Sequence, residues 1–512
     1  MRYLLLLLLP LFIFAKPFKL ATYNVENLFD ASFSGTEYNE YIPGKHNWNK
    51  AMVQVKLDHV AEVICDIDAD IIGLQEVENE QIFRQLKARL ERVGCGYRYA
   101  AITHKKGASI QVALLSRHKI LKHRDIQVSF SPRVRNILEV EVLVQDKPLT
   151  LFVNHWKSKA YKGYESKRIV YAKALQARIA SLSASKEYII LGDFNSDYNA
   201  YLSLEEKIND SQGKTGFSTI LQTRVDEVAI QKAKRGKHYT LWKELAVEDR
   251  WSYKFYGKKS SLDQIVLPPS MFDAIGIDYV NDSFEVFKAR YLFTKKGYIN
   301  RWQYKNGKHR GKGYSDHLPV FAYFDRKAYL ADKNQKPSKV REVKNIEYLY
   351  EKESLETNIE LQNVVVLLKR GRNAIVKQSP KGRGIYLYGC ASSLKEGRRY
   401  DLLVQAIKTY KGLKEVISAY KLKDKGKVDT KAYMMDASML EDLGQNEVIV
   451  NLRGLYKNRH LWVGSRKIPL YFKNKKLRPK DGSKLKIHYA HLGYYKHLQL
   501  VIYSKKDFSV EE

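Results

Sequence analysis

Acid, amide and imidazole side chains recur in this sequence directly after short apolar runs. The densest case is Tyr188-Ile189-Ile190-Leu191-Gly192-Asp193-Phe194-Asn195-Ser196-Asp197. Its four leading apolar residues read as a strand buried on both faces. Gly192 lets the backbone turn, and Asp193 and Asn195 arrive at the strand's end, where ligands of open α/β sheets collect. Taken alone the stretch reads as a turn, since Gly, Asp and Asn punctuate loops. Other runs end in the same way. Asp70-Ile71-Ile72-Gly73-Leu74-Gln75-Glu76-Val77 closes on a glutamate, a residue rarely buried unless it is paired or metal-bound. Leu149 to Val153 ends in Asn154-His155, and Phe18 to Tyr23 ends in Asn24. Ser261-Leu262-Asp263 heads an apolar run, and Ser315-Asp316-His317 precedes another. Such groups can take a proton from water, hold a hard cation on oxygen, or donate a hydrogen bond to an anion.

The elements that must carry them follow from periodicity. Met52, Val55, Leu57, Val60, Val63 and Ile64 recur at helical spacing, so Trp48 to Ile67 reads as an amphipathic helix. Helices are also expected over Glu80 to Val93 and Glu165 to Ser183, and strands over Ser109 to Ser116 and Ile137 to Val144. Strands alternating with helices argue an α/β core. The net charge of +33 and pI near 9.6 draw polyanions: nucleic acid, acidic glycan or an anionic membrane surface. A charged start, the apolar run Leu4 to Phe14 and a small residue at Ala15 make a signal peptide over 1–15. The protein is therefore expected to be exported, periplasmic or secreted, with no integral membrane segment after cleavage. Cys65, Cys95 and Cys390 make no disulfide framework; a Cys65–Cys95 bridge and a reduced buried pair are both open.

Thr22-Tyr23-Asn24, Leu74-Gln75-Glu76, Asn154-His155, Gly192-Asp193-Phe194-Asn195, Ser261-Leu262-Asp263 and Ser315-Asp316-His317 together resemble the endonuclease/exonuclease/phosphatase family over roughly Phe18 to Phe324. The family includes deoxyribonuclease I-like and exonuclease III-like nucleases, neutral sphingomyelinases and inositol polyphosphate phosphatases. Each motif is short, but six in order are specific. The resemblance implies a four-layer sandwich of two mixed β-sheets flanked by helices over residues 16–325. It implies a divalent cation, Mg²⁺ with Mn²⁺ or Ca²⁺ as alternatives, on Glu76 with Asn24 and Asp316. Asp193 would orient and deprotonate water, and Asn195 would hold the phosphate or the nucleophile. His317, oriented by Asp263, would stabilise the phosphate's charge, and His155 would be a general acid or phosphate contact. Asn24 and Arg135 would also face substrate. Two positions depart from the family. Where members often carry an acid that orients the histidine at 155, this chain has Gln111; the phosphate-contacting arginine usually precedes proline, whereas Arg135 precedes Asn136.

Between Asn199 and Ser260 lies an insertion rich in Lys, Tyr and Trp: Lys232, Lys234, Arg235, Lys237, His238, Tyr239, Trp242, Trp251, Tyr253 and Tyr256. Interleaved basic and aromatic residues suit nucleic-acid contacts, and a solvated loop with a few core aromatics is the other reading. Residues 326–356 are charged and weakly periodic, as in a linker. Beyond them short strands dominate, five over Val364 to Ala419 and five over Val448 to Tyr503, each the complement of an OB-like barrel. Two all-β domains are expected, 357–425 and 426–512. Residues 326–512 hold roughly 40 Lys/Arg against 20 Asp/Glu, which fits binding of single strands; a spacer or protein-docking module is the other reading. The expected function is that of an exported metal-dependent nuclease acting on DNA, with RNA as a second candidate substrate, and no protein partner is legible. A sphingomyelinase-like lipid phosphodiesterase is the alternative, although Asn199 to Ser260 has no apolar membrane-contacting run.

Overall fold

The computed structural model describes residues 17–511 apart from 160–162, 184, 234, 256, 327–341, 356 and 437–443. The expected signal peptide, Lys234, Tyr256 and much of the expected linker lie outside the described residues. Two compact units divide the chain, Met1–Lys336 and Pro337–Glu512.

The first unit is an α/β sandwich of two six- to seven-stranded sheets. One sheet runs Asp278–Tyr279, Val320–Asp325, Phe18–Leu28, Ile71–Val77, Gln111–Ser116, Tyr99–Ile102; the other runs Lys119–Ile126, Ile137–Val144, Lys147–His155, Tyr188–Asp193, Asp263–Leu267, Tyr239–Thr240. Their strands read as continuous apolar runs because each sheet is covered on both faces. Ile189 and Leu191 point between the sheets, against Val112, Leu114 and Val153, while Tyr188 and Ile190 point outward onto helix Glu165–Ala180. Ile72 and Leu74 face the other outer layer, helices Lys50–Ile67 and Glu80–Arg92. The result is the expected four layers. Strand Lys119–Ile126 escaped sequence reading because it is an edge strand whose side chains are mostly exposed, so no apolar alternation marks it. A Cys65–Cys95 disulfide joins the end of the first helix to the residues after the second.

Strand direction places the chemistry. Phe18–Leu28 and Ile71–Val77 are parallel neighbours, so Asn24 and Glu76 emerge at the same end. Lys147–His155 and Tyr188–Asp193 are also parallel, with His155 opposite Asp193, and the antiparallel strand Asp263–Leu267 sets Asp263 opposite Asp193. His155, Asp193 and Asp263 therefore form one row across three strands. Val320–Asp325 runs antiparallel to the first strand, which brings the preceding Asp316 and His317 to the same mouth.

The insertion is mainly structural. His238, Tyr239 and Trp242 are buried; His238 bonds the Tyr188 hydroxyl and the Leu221 carbonyl, and Trp242 donates to the Asp263 carbonyl. Trp251 joins the outer core. Only part of that segment, including Lys232, Arg235, Lys237 and Phe255, is left to solvent.

The second unit contains two small all-β barrels of like topology. Ile359–Arg370, Asn373–Lys377, Gly384–Leu387, Leu413–Lys427 and Arg398–Tyr410 are neighbours in that order, and the last closes onto the first. Glu447–Lys457, His460–Val463, Arg466–Phe472, Leu498–Ile502 and Lys484–Tyr494 repeat the order and the closure. In each, the third and fourth strands of that order pair in parallel, giving small closed five-stranded barrels. Residues 342–350, read from sequence as linker, belong to the first barrel: Glu342–Lys344 adds a parallel strand, and the short helix Ile346–Tyr350 inserts Ile346 and Leu349 into its core. Short elements with few apolar residues carry too little periodicity to be seen.

Gly192 adopts φ +129°, and a Cβ there would stand 2.0 Å from the Asn154 carbonyl oxygen. Gly192→Ala should therefore destabilise the protein by more than about 2 kcal/mol, read as a lowered urea midpoint. An unchanged midpoint would contradict the close packing of these two strands.

Candidate active site

Asp193 lies at the centre and is 1 % exposed. Its Oδ1 accepts the Asn195 backbone N–H (2.7 Å), and its Oδ2 accepts the side-chain amides of Asn24 (3.0 Å) and Asn195 (3.2 Å). Burial raises its pKa to about 7; the His317 charge opposes the rise and the Asp263 charge adds to it. Two imidazoles flank it, His155 Nε2 at 3.6 Å and His317 Nε2 at 3.9 Å from Oδ2. The Asn24 amide also donates to Glu76 Oε1 (3.0 Å), so one side chain ties carboxylates from both sheets. Glu76 Oε2 accepts the Asn27 N–H (2.9 Å). Glu76 and Asn195 both sit at positive φ, +68° and +47°, conformations that cost energy in non-glycine residues and cluster at functional sites.

The two histidines differ in charge. His317 Nδ1 bonds Asp263 Oδ2 at 2.8 Å, and Ser252 Oγ donates to the same oxygen at 2.5 Å. Burial opposes the imidazolium, but the Asp263 charge and hydrogen bond, with Asp193 and Asp316 beyond, raise its pKa well above the usual range. His317 is therefore protonated at neutral pH and aims Nε2 toward Asp193. His155 is pushed well below the usual range by burial and by the Arg135 and His317 charges, so it is neutral. Its Nδ1 is buried without a partner. Gln111 does not orient it: the Gln111 side-chain oxygen accepts from Thr103 Oγ1 (2.9 Å) and the Lys105 N–H (3.1 Å). A neutral imidazole suits a phosphate contact better than a general acid.

Glu76 and Asp316 are two further carboxylates at the mouth. Burial and the Asp316 charge raise the Glu76 pKa, against the Asn24 hydrogen bond and the His317 and Arg135 charges, which lower it. That donor set fits a hard divalent ion on oxygen. The Asn24 oxygen accepts the Glu26 N–H (3.0 Å), so its first task is to organise the two carboxylates. Asp193, Asp263 and His317 also bring ligand atoms within 4.8 Å of one another, and His317 Nδ1 is bonded to Asp263 Oδ2. Arg135 lies at the rim, its guanidinium donating to the His155 (3.0 Å) and Trp156 (2.6 Å) carbonyls, beside Tyr38, Arg133 and Lys157.

A profile described as Endonuclease/Exonuclease/phosphatase family matches residues 19–326, more than half of the chain. The chain belongs to that family. Family folds of this kind are those of phosphodiesterase-type hydrolases that use divalent metals. Solved structures with similar folds include TDP2 from Caenorhabditis elegans, at 14% identity over 60% of this chain and 74% of that one, with a TM-score of 0.39. Endonuclease/exonuclease/phosphatase family proteins from Leptotrichia buccalis (15% identity, 60% and 98% covered, TM-score 0.36) and Bacteroides thetaiotaomicron (14%, 60% and 98%, 0.38) are also similar. No curated protein matches the sequence.

Several residues of this family member's site carry no legible sequence signal. Arg301, from an irregular loop, donates through Nε and Nη2 to Glu26 Oε1 and stands 3.7 Å from Asp316. Lys56, buried on the first helix, donates to the Tyr314 carbonyl, and burial lowers its pKa to about 8 against the pull of Glu26 and Asp316. Ser252 reaches Asp263 across the insertion. Asp197 is a structural clamp: Oδ1 accepts the Ser261 N–H (3.0 Å) and Oδ2 binds Lys159 (2.7 Å), which holds three site loops together. Charged residues on loops have no periodicity to reveal their partners.

Glu26 has its pKa raised to about 8 by burial and by Asp316, while Arg301 pulls it down. Arg301→Met removes that pull and raises the folded-state pKa further above the unfolded value near 4.5. The unfolded state then releases its proton while the folded state keeps it, so the loss of stability grows as pH rises. Urea unfolding in EDTA should show a loss of about 1–3 kcal/mol at pH 8 and a smaller one at pH 5. An equal loss at both pH values would refute the pairing.

Proposed function

We propose that the chain is an exported, metal-dependent nuclease that hydrolyses phosphodiesters of DNA, with RNA as the second candidate substrate. The observation that carries this reading is the buried Asp193 carboxylate, flanked by His155 Nε2 at 3.6 Å and by His317 Nε2 at 3.9 Å, the latter ring held by Asp263 at 2.8 Å. Asp193 orients the attacking water and takes its proton, and Asn195 and Asn24 keep the carboxylate in place. His317, held by Asp263, donates from Nε2 to the phosphate and offsets its developing charge. His155 contacts the phosphate near the leaving oxygen. Arg135, with Arg133 and Lys157 beside it, meets the phosphodiester backbone at the rim. Glu76 and Asp316, with Asn24, would hold Mg²⁺, or Mn²⁺ or Ca²⁺ in its stead, which when bound neutralises phosphate charge and acidifies water.

Support for a nucleic-acid substrate is the net charge of +33 and its concentration in the OB-like part of the chain. Export is supported by the composition of residues 1–15 and by the Cys65–Cys95 disulfide, which persists in oxidising compartments. Among the described residues no helix is long and apolar enough to cross a membrane.

Incubation with plasmid, single-stranded DNA, RNA and sphingomyelin should give cleavage of nucleic acid that EDTA abolishes and Mg²⁺ restores. Cleavage of sphingomyelin with nucleic acid left intact would overturn the substrate assignment. Asp193→Asn should lower kcat by about 10²–10⁴-fold in a protein that still unfolds cooperatively, since it removes a buried charge while setting one amide N–H against the donors that Asp193 accepts. In the wild type, kcat/KM should fall as pH drops through about 7, where Asp193 gains its proton. A profile flat from pH 5 to 9 would remove Asp193 from the role of base.

A further inference from the structure

The two OB-like barrels are interlocked through their hairpin turns. In the first barrel the turn after strand Arg398–Tyr410 is Lys411-Gly412, with both residues at positive φ. In the second, the corresponding turn lies between strands Lys484–Tyr494 and Leu498–Ile502. The Lys496 N–H donates to the Lys411 carbonyl (3.2 Å), and Gln445 donates to the Gly412 carbonyl (3.1 Å). The Tyr494 ring packs so closely that a Cβ on Gly412 would lie 2.3 Å from it. Behind the turns, Val365, Leu367, Tyr386 and Leu413 of the first barrel share a core with Val448 of the second. The joint is therefore a fixed surface made by both barrels.

Two tyrosines stand on that joint in a way the fold does not require. Tyr410 is 47% exposed and Tyr495 is 42% exposed. The Lys411 ammonium sits between them, 5.6 Å from the Tyr410 ring centre and 4.4 Å from that of Tyr495, and hydrogen-bonds the Tyr495 hydroxyl. Lys408 lies 5.6 Å from the same Tyr410 ring, and Lys496 is exposed beside Tyr495. Glu415, opposite Lys408 in the hairpin, is buried, and burial pushes its pKa up to about 7 against the two lysines Lys408 and Lys473. The surface therefore presents aromatic faces and ammonium groups with little opposing charge. Single exposed aromatics are ordinary; two rings bordering one ammonium at a rigid joint are not explained by packing.

We propose that this joint is a stacking platform for single-stranded nucleic acid, with Tyr410 and Tyr495 taking bases and Lys408, Lys411 and Lys496 taking the phosphates. Rings stack on any base, and ammonium groups track the backbone, so the contact is tolerant of sequence. A duplex, whose bases are already stacked on each other, offers the rings nothing. The platform deepens the nucleic-acid reading above and rests on it. It would hold the strand through residues remote in sequence from the hydrolytic centre.

The test uses the full chain in EDTA, with fluorescence anisotropy of a labelled oligothymidylate and of a duplex of the same length. Tyr410→Ala with Tyr495→Ala should weaken single-strand binding by roughly 10-fold or more, whereas Tyr410→Phe with Tyr495→Phe should bind like wild type. Lys408→Gln should flatten the slope of log affinity against log salt by about 0.7, and melting temperatures report that each variant is folded. Hydrolysis of bis(p-nitrophenyl) phosphate with Mg²⁺, which needs no strand grip, should be unchanged in all of them. Wild-type affinity in the double alanine variant, or equal affinity for duplex and single strand, would overturn the platform. Failure of the wild type to hydrolyse the small diester would instead strike the phosphodiesterase reading and leave the platform standing.

Discussion

One neutral amide holds the catalytic unit's two sheets to a common purpose. Asn24, from one sheet, donates to Glu76 beside it and to Asp193 of the other sheet, each at 3.0 Å. Two buried carboxylates repel, and the repulsion is worst where water is excluded. A shared donor lowers that cost without adding a charge that would bind either acid permanently. The arrangement depends on strand register, because a slip of one residue would turn Asp193 from the mouth into an apolar layer. Gly192 protects the register by letting the Asn154 backbone come as close as it does.

Charge around the mouth divides into two sides. On one, Asp263 and Ser252 fix a protonated His317 against Asp193. On the other, the acids Glu26 and Asp316 face the bases Arg301 and Lys56, and Glu76 stands beside Asp316. The neutral His155 lies between, 3.8 Å from Glu76 and 3.6 Å from Asp193. Different loops set the charges on the two sides of the cleft.

The second unit uses the same topology twice. Two closed barrels bury their own cores and then share a third across the joint. Lys377 and Glu447 pair across that joint at 2.8 Å, and Asn446 accepts from or donates to partners in both barrels. Such a joint holds two hairpin turns in fixed relation, which neither barrel could do alone.

The amino-acid sequence determined the layers and most of the site. Doubly buried strands need unbroken apolar runs, so Tyr188–Leu191 and Ile71–Leu74 announced themselves, while the polar residues at their ends read as turns one by one and as a site only when six such motifs in order resembled one family. Asn24, Glu76, His155, Asp193, Asn195, Asp263 and His317 were legible for that reason. The ten main barrel strands were legible too, since alternation and turn residues are local. What only the tertiary structure decided is whatever depends on meeting partners across long loops. Gln111 turned to Thr103 instead of His155, Asp197 became a clamp, Arg301 and Ser252 entered the charge network, and residues 342–350 joined a barrel. The aromatic insertion became largely core, because a buried tryptophan and an exposed one look alike until something packs against them. Periodicity reports which face of an element is covered; it does not report which side chain covers it.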